Sequence, residues 1–366
     1  MRSTPKSTST YFPGLNTLRL YAALSVVLGH IIQNNLVSAH TGWVLNFFIM
    51  SGYDAVTLFF VISGFLITYL LLNERSENGS ISVKNFLLRR FLRIQPVYFV
   101  VLLLSILLFP QQLPSHPVSW FYILIWSPHI PEALLGLSIL AHYWSIGVEE
   151  WYYFGLPFLF RRFGVIRLVL GILLIRLILG AVFFPETLLV GARYGQDFSR
   201  LFTMLRFESM AVGGFFAWLF FYRHNWLRVV YFLEPLGVGV FIVIVLLPFE
   251  GSLIFDFILS IMFAVVVVCC ATKPKPLLKI EHPYLRRLGE ITYGVYMYHM
   301  LFVSAGAVVV RELPPSILRD VAVIALISAS TFVFSWLSWT YFEKPLKLLR
   351  FKEKQVTQFV GTEQRN

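Results

Sequence analysis

HYWSIGVEEWYYFGLPFLF, residues 142–160, decides how this chain is to be folded. The stretch is long enough to cross a bilayer, which takes about 20 mostly apolar residues in a helix. Yet it holds two adjacent carboxylates, Glu149 and Glu150. Read as a membrane helix, it gives an even number of crossings. Read as a loop, it moves every later connection to the opposite side.

The composition names the solvent. Of 366 residues, 57% are hydrophobic and 13% are charged, with a mean hydropathy of +0.73. Soluble domains carry about 25% charged residues, so the expectation is an all-α polytopic membrane protein. Apolar runs of spanning length fall at residues 16–37, 52–73, 94–110, 142–160, 163–182, 201–222, 228–248, 251–271, 291–310 and 319–341, ten helices with both termini cytoplasmic. The domains follow as a cytoplasmic segment 1–15, a membrane domain 16–343 and a flexible basic tail 344–366.

The connections support counting residues 142–160 as a crossing. With ten helices, the N-terminus (Arg2, Lys6), the loop with Lys84, Arg89, Arg90 and Arg93, the pair Arg161 and Arg162, the turn with Arg223 and Arg228, the loop from Lys273 to Arg287 and the tail from Lys344 all share one side. The loops around Glu132, Glu186 with Asp197, and Glu250, and the turn with Arg311, Glu312, Arg319 and Asp320, take the other. The positive-inside rule makes the basic side cytoplasmic. The charge of +11 is then topological, and no nucleic-acid partner is implied. The first 20 residues have no apolar core ahead of a small-residue cleavage site, so the first helix is expected to be retained. Cys269 and Cys270 are adjacent in an apolar run, which excludes a disulfide framework. The outer loop 111–141, with Trp120, Phe121, Tyr122 and Trp126, suits an interfacial or re-entrant element.

Ionisable residues inside the spans point to function. In LRLYAALSVVLGH, residues 18–30, Arg19 and His30 lie eleven apart, about 16 Å along one helical face. Arg19 could snorkel to the headgroups, and His30 could be a packing residue. Glu149, Glu150, Arg206, Glu208 and His299 stand at similar depth on other helices. Such residues usually face a bundle interior or a water-filled path, so a polar cavity is expected. Glu149 and Glu150 cannot share a helical face; one can face His30 while the other pairs elsewhere, with Arg206 a candidate. On the cytoplasmic side, FLLRRFLRIQPVYF, residues 86–99, sets Arg90 and Arg93 three apart, with Pro96 interrupting the following helix. That spacing suits either a topological cluster or bidentate phosphate contacts.

The ordered set RLYAALSVVLGH (19–30), LFFVISGFLI (58–67), RRFLRIQPVY (89–98), HYWSIGVEEWYY (142–153), LGEITYGVYMYH (288–299) and FEKP (342–345) resembles the membrane acyltransferase-3 family, which includes polysaccharide O-acetyltransferases. The resemblance implies a multi-pass protein of the inner (cytoplasmic) membrane, in contact with membrane lipid. It would take an acyl group from cytoplasmic acyl-CoA, commonly acetyl-CoA, and pass it to a hydroxyl of an extracytoplasmic glycan or lipid-linked glycan. No metal is expected. It implies that His30 is the catalytic histidine, Arg19 an essential arginine, and Arg90 with Arg93 the pair for the coenzyme's phosphates. Glu149 matches the acidic residue of one signature, and Ser63 with Gly64 match another. Imidazole suits a general base near neutral pH. His30 is assigned that role, with Glu149 orienting it or stabilising the imidazolium; an acyl-His30 intermediate stays open. Glu150, Arg206, Glu208 and His299 remain cavity candidates.

Gly147, Trp151 and Tyr152 stand where the family often shows Ser, Gln and Phe, Thr57 where it often shows Asp, and Thr292 where it shows Ser. These departures bear on acceptor choice. Little sequence follows the tenth helix, so selectivity is expected from the membrane domain and its outer loops. The competing reading is a transporter or flippase whose buried His, Glu and Arg line a substrate path. No inverted repeat between the halves supports it.

Overall fold

The computed structural model describes residues 11–184, 197–247, 252–310 and 313–346. Arg2, Lys6, Glu186, Glu250, Arg311, Glu312 and the tail beyond Leu346 lie outside the described residues. Every regular element within them is helical. Among the described residues, eight helices are long and apolar enough to cross a membrane, and one bent pair raises the number to nine.

The first half of the chain supplies α1 (Leu15–Gln33), the short α2 (Ala39–Asn46), α3 (Gly52–Asn78) and α4 (Val83–Leu108). Two short helices, α5 (Pro117–Leu124) and α6 (His129–Leu134), fill the long loop before α7 (Tyr143–Phe163) and α8 (Val165–Phe183). In α5, Val118, Phe121 and Leu124 are exposed while Ser119 and Ile123 are buried. The second half holds α9 (Asp197–Met204), α10 (Phe207–Tyr222), α11 (Leu227–Phe232), α12 (Glu234–Leu246), α13 (Leu253–Thr272), α14 (Pro283–Glu290), α15 (Thr292–Val310) and α16 (Ile317–Ser338). Serine hydroxyls accept backbone N–H groups at the starts of α2, α3, α4, α13 and α16, from Ser38, Ser51, Ser82, Ser252 and Ser316. Each such cap contributes about 1 kcal/mol.

Within the described residues, all ten apolar runs are largely helical, but their boundaries differ in informative ways. The helix expected from residue 94 begins at Val83, because KNFLLRRF is amphipathic rather than loop-like. It runs straight through Pro96, so Arg89, Arg90 and Arg93 ride on the same rod as the apolar span instead of preceding it. The run at 228–248 is bent by 50° between α11 and α12, where Pro235, without an N–H, starts a new helix. The run at 201–222 breaks at Arg206, between α9 and α10. Residues 142–160 fall almost wholly in α7, a helix of 21 residues that carries Glu149 and Glu150 and is not among those eight spans.

At the centre, α3 crosses α10 with backbones touching. A Cβ on Gly64 would lie 1.9 Å from the Met210 carbonyl oxygen, and one on Gly213 would lie 2.1 Å from that of Val61. Small residues allow this approach between membrane helices, where dispersion replaces the hydrophobic drive. Cys269 and Cys270 are free and buried in α13.

Candidate active site

Residues from α1, α3, α4, α7 and α15 line a cavity of about 260 Å³. Arg19 comes from α1, Ser63 from α3, Arg90 and Arg93 from one face of α4, Glu149 and Tyr153 from successive turns of α7, and Tyr293 and Tyr296 from α15. Phe12, Phe59, Phe60 and Ile146 supply apolar wall. The Ser63 hydroxyl donates to Glu149 Oε1 at 2.9 Å. The Arg90 guanidinium lies 5.5 Å from the Tyr153 ring centre, and its buried Nε has no hydrogen-bond partner.

The charges in this cavity are unbalanced. Among the described residues, no carboxylate comes within ion-pair distance of Arg19, Arg90 or Arg93. The third arginine of the cluster is different: Arg89 meets Glu74 at 2.6 Å, and the other oxygen of Glu74 accepts the Ser82 N–H. Three guanidiniums therefore face one carboxylate in an apolar enclosure, an arrangement that suits a polyanionic ligand.

His30 stands one layer away from this cavity. Its Nδ1 lies 3.0 Å from the Val26 carbonyl oxygen and 3.2 Å from Nε2 of His299. His299 Nδ1 is 2.6 Å from the Tyr296 carbonyl oxygen, and the His142 ring packs 5.0 Å from that of His299. Between this stack and the arginines lies Tyr296, whose hydroxyl is 2.6 Å from Ser145 Oγ and donates to the His142 carbonyl oxygen at 3.1 Å. His299 and His142 are buried, whereas His30 is half-buried.

The structure thus gathers Arg19, Ser63, Arg90, Arg93 and Glu149 in one cavity and sets His30 with His299 beside it. The hydrogen bonds of Glu149 and His30 go to different partners, Ser63 for the first and Val26 with His299 for the second. Glu150 does not line the cavity, and its Oε1 is buried without a partner. Arg206 pairs with Asp256 at 3.0 Å, donates to Thr57 Oγ1 and stacks 3.5 Å from the Tyr53 ring centre. Glu208 pairs with Arg176 at 2.9 Å. Gly64 belongs to the α3–α10 crossing, while its neighbour Ser63 reaches the cavity. Among the described residues, no group of three or more His, Cys, Asp and Glu side chains is placed to hold a metal ion.

Sequence reasoning gave no role to His142, Ser145, Tyr153 or Tyr296. The signal was present, since Ser145, Glu149 and Tyr153 recur every four residues and so fall on one face of α7.

A family model described as an acyltransferase domain matches residues 12–340. The chain belongs to the acyltransferase-3 family. The chain is 26% identical over 393 residues to a Staphylococcus aureus (strain MRSA252) protein provisionally named an O-acetyltransferase, with 96% of this chain and 60% of that one covered. It is 26% identical over 403 residues to the peptidoglycan O-acetyltransferase OatA of Listeria monocytogenes, covering 100% of this chain and 60% of the relative. Against O-acetyltransferase OatA of Staphylococcus aureus (strain MRSA252), identity is 22% over 385 residues, with coverage of 96% and 60%. The chain thus spans 60% of the length of each of these relatives. No solved structure matches it at a significant level.

Two departures of this chain from the family pattern meet in space. A Cβ on Gly147 would lie 2.7 Å from Pro128 Cδ and 2.8 Å from His129 Nδ1, while Trp151, one turn on, donates its indole N–H to Ser127 Oγ at 2.9 Å. Together they seat the turn at residues 127–129 on α7. Thr57, in place of Asp, accepts from Arg206, and Asp256 supplies the carboxylate for that arginine.

Proposed function

We propose that the protein is a multi-pass membrane O-acyltransferase. It moves an acyl group, acetyl in the simplest case, from cytoplasmic acyl-CoA to a hydroxyl of a glycan or lipid-linked glycan on the outer side. The observation that carries this reading is the set of three guanidiniums that share one cavity with a single carboxylate, without an ion-pair partner among the described residues, in an acyltransferase-3 chain. Arg90 and Arg93, on the rod that projects beyond the apolar span, hold the phosphates of the donor. Arg19 neutralises charge further along the same cavity, and Glu149 with Ser63 positions the polar part of the ligand between them. The ten crossings with cytoplasmic termini that the charge pattern predicts put these arginines on the donor's side.

His30 acts as general base. With Nδ1 turned to Val26 and His299, its Nε2 is the atom left for the acceptor. Nε2 takes the hydroxyl proton as the alcohol oxygen forms its bond to the thioester carbonyl carbon; collapse of the adduct breaks the carbon–sulfur bond and releases the thiolate, which takes up a proton. A positioned base of this kind contributes about 10²–10⁴-fold. The name of the Listeria relative supports peptidoglycan as an acceptor class.

The test compares surface glycans and lipids, by mass spectrometry, from cells with the wild-type protein, cells without it and cells with His30→Ala. The expected result is an acyl ester present in the first and lost in the other two. Full esterification by a normally inserted His30→Ala protein would remove His30 from the mechanism.

A further inference from the structure

The stack of three histidines lies in a part of the bundle where no carboxylate is within ion-pair distance of any of them among the described residues. A base in a nucleophilic triad is normally held in one tautomer by an acid. Here the partners of His30 Nδ1 are the Val26 carbonyl oxygen of its own helix and His299 of α15, and the rings of Tyr296 and His142 pack in turn on His299.

The hydrogen positions follow from the partners. A carbonyl oxygen only accepts, so His299 Nδ1, 2.6 Å from the Tyr296 carbonyl, must carry its proton. A neutral imidazole has one N–H, which leaves Nε2 of His299 with a lone pair. That lone pair lies 3.2 Å from His30 Nδ1, and the Val26 carbonyl oxygen lies 3.0 Å from the same atom. Both neighbours ask for a proton on His30 Nδ1, and neither can offer one.

We propose that His299 is the positioning residue of this site: its Nε2 lone pair joins the Val26 carbonyl oxygen in holding His30 in the Nδ1–H tautomer, so that His30 Nε2 is the basic atom presented to the acceptor. The proposal rests on His30 being the base. His299 does this without adding a fixed charge, and a buried unpaired charge in the bundle would be costly. It is a holder and not a proton shuttle, because its other nitrogen ends on a carbonyl that takes no proton. His142 backs the arrangement from the far side. Its Nε2 is 3.2 Å from the Met297 carbonyl oxygen, and its ring lies at 67° to that of His299.

The test uses the whole protein in nanodiscs, with ¹⁵N-labelled histidine and His30→Ala to assign the His30 signals. The wild-type spectrum at a pH where His30 is neutral should show a protonated Nδ1 and an unprotonated Nε2, and His299→Phe, which leaves the Val26 carbonyl oxygen as the acceptor, should raise the share of the Nε2–H tautomer. Release of coenzyme A from acetyl-CoA, by vesicles that hold the cell's own glycans, gives the kinetic half. His299→Phe should lower kcat by about 10²–10³-fold with KM for acetyl-CoA within twofold. His299→Gln, whose amide oxygen can accept, should recover at least about tenfold over His299→Phe. A wild-type His30 protonated on Nε2, a His299→Phe protein with wild-type kcat, or a Gln variant no better than Phe would each overturn the proposal. The spectra need no turnover, so they separate failure of this inference from failure of His30 as base, which instead shows as an active His30→Ala.

Discussion

Two groups of arginines lie within the helix bundle, and they are treated in opposite ways. On one side Arg206 and Arg176 meet Asp256 and Glu208 at 3.0 and 2.9 Å, and each guanidinium also covers an aromatic ring, that of Tyr53 or Phe202. On the other, Arg19, Arg90 and Arg93 share a cavity with a single carboxylate and form no ion pair among the described residues. A satisfied buried cation fixes helices to one another. An unsatisfied one in a cavity is poised for a ligand that brings its own negative charge. The amino-acid type is the same in both places, and the partner decides what it does.

The contrast can be broken by substitution. The largest effect on folding should come from Arg206→Ala, which leaves Asp256 buried without its partner; about 3–5 kcal/mol of stability should be lost, read as an early thermal transition in detergent. A cavity arginine should behave the other way round. Arg90→Ala with Arg93→Ala should leave the thermal transition near wild type while weakening acetyl-CoA binding by about 100-fold, since a charge-assisted hydrogen bond contributes about 1.5–3 kcal/mol. Unchanged donor affinity in calorimetry would reduce the pair to a topology marker. The smallest effect belongs to Arg89→Ala. Its contact with Glu74 is partly exposed, so stability should change by under about 1 kcal/mol and donor affinity by less than twofold.

Sequence carried the helices well because apolar runs of spanning length are a one-dimensional signal. It also named the charged residues of the cavity, since a charge in such a run is conspicuous by itself. It did not reveal the partners of the buried arginines outside the cavity. Asp256 lies fifty residues from Arg206 and on another helix, so their pairing depends on how α10 meets α13. The choice between Glu149 and Glu150 depended on the rotation of α7, which an isolated helix does not define. The role of His299 was hidden for a further reason: it depends on which nitrogen faces which carbonyl. Pro96 misled more simply. A proline marks a helix end in many sequences, yet within α4 the rod continues on both sides of it.

The glycine contact between α3 and α10 sets a tolerance for the whole site. With a methyl group at Gly64 facing a carbonyl oxygen at 1.9 Å, the backbones would have to part by more than an ångström. Ser63 is the next residue, and its 2.9 Å reach to Glu149 has no such slack. A position with no side chain at all thus acts as the spacer that gauges one wall of the cavity. Dimensional precision at the polar centre is set from behind, by two backbones that cannot come closer and have no reason to move apart.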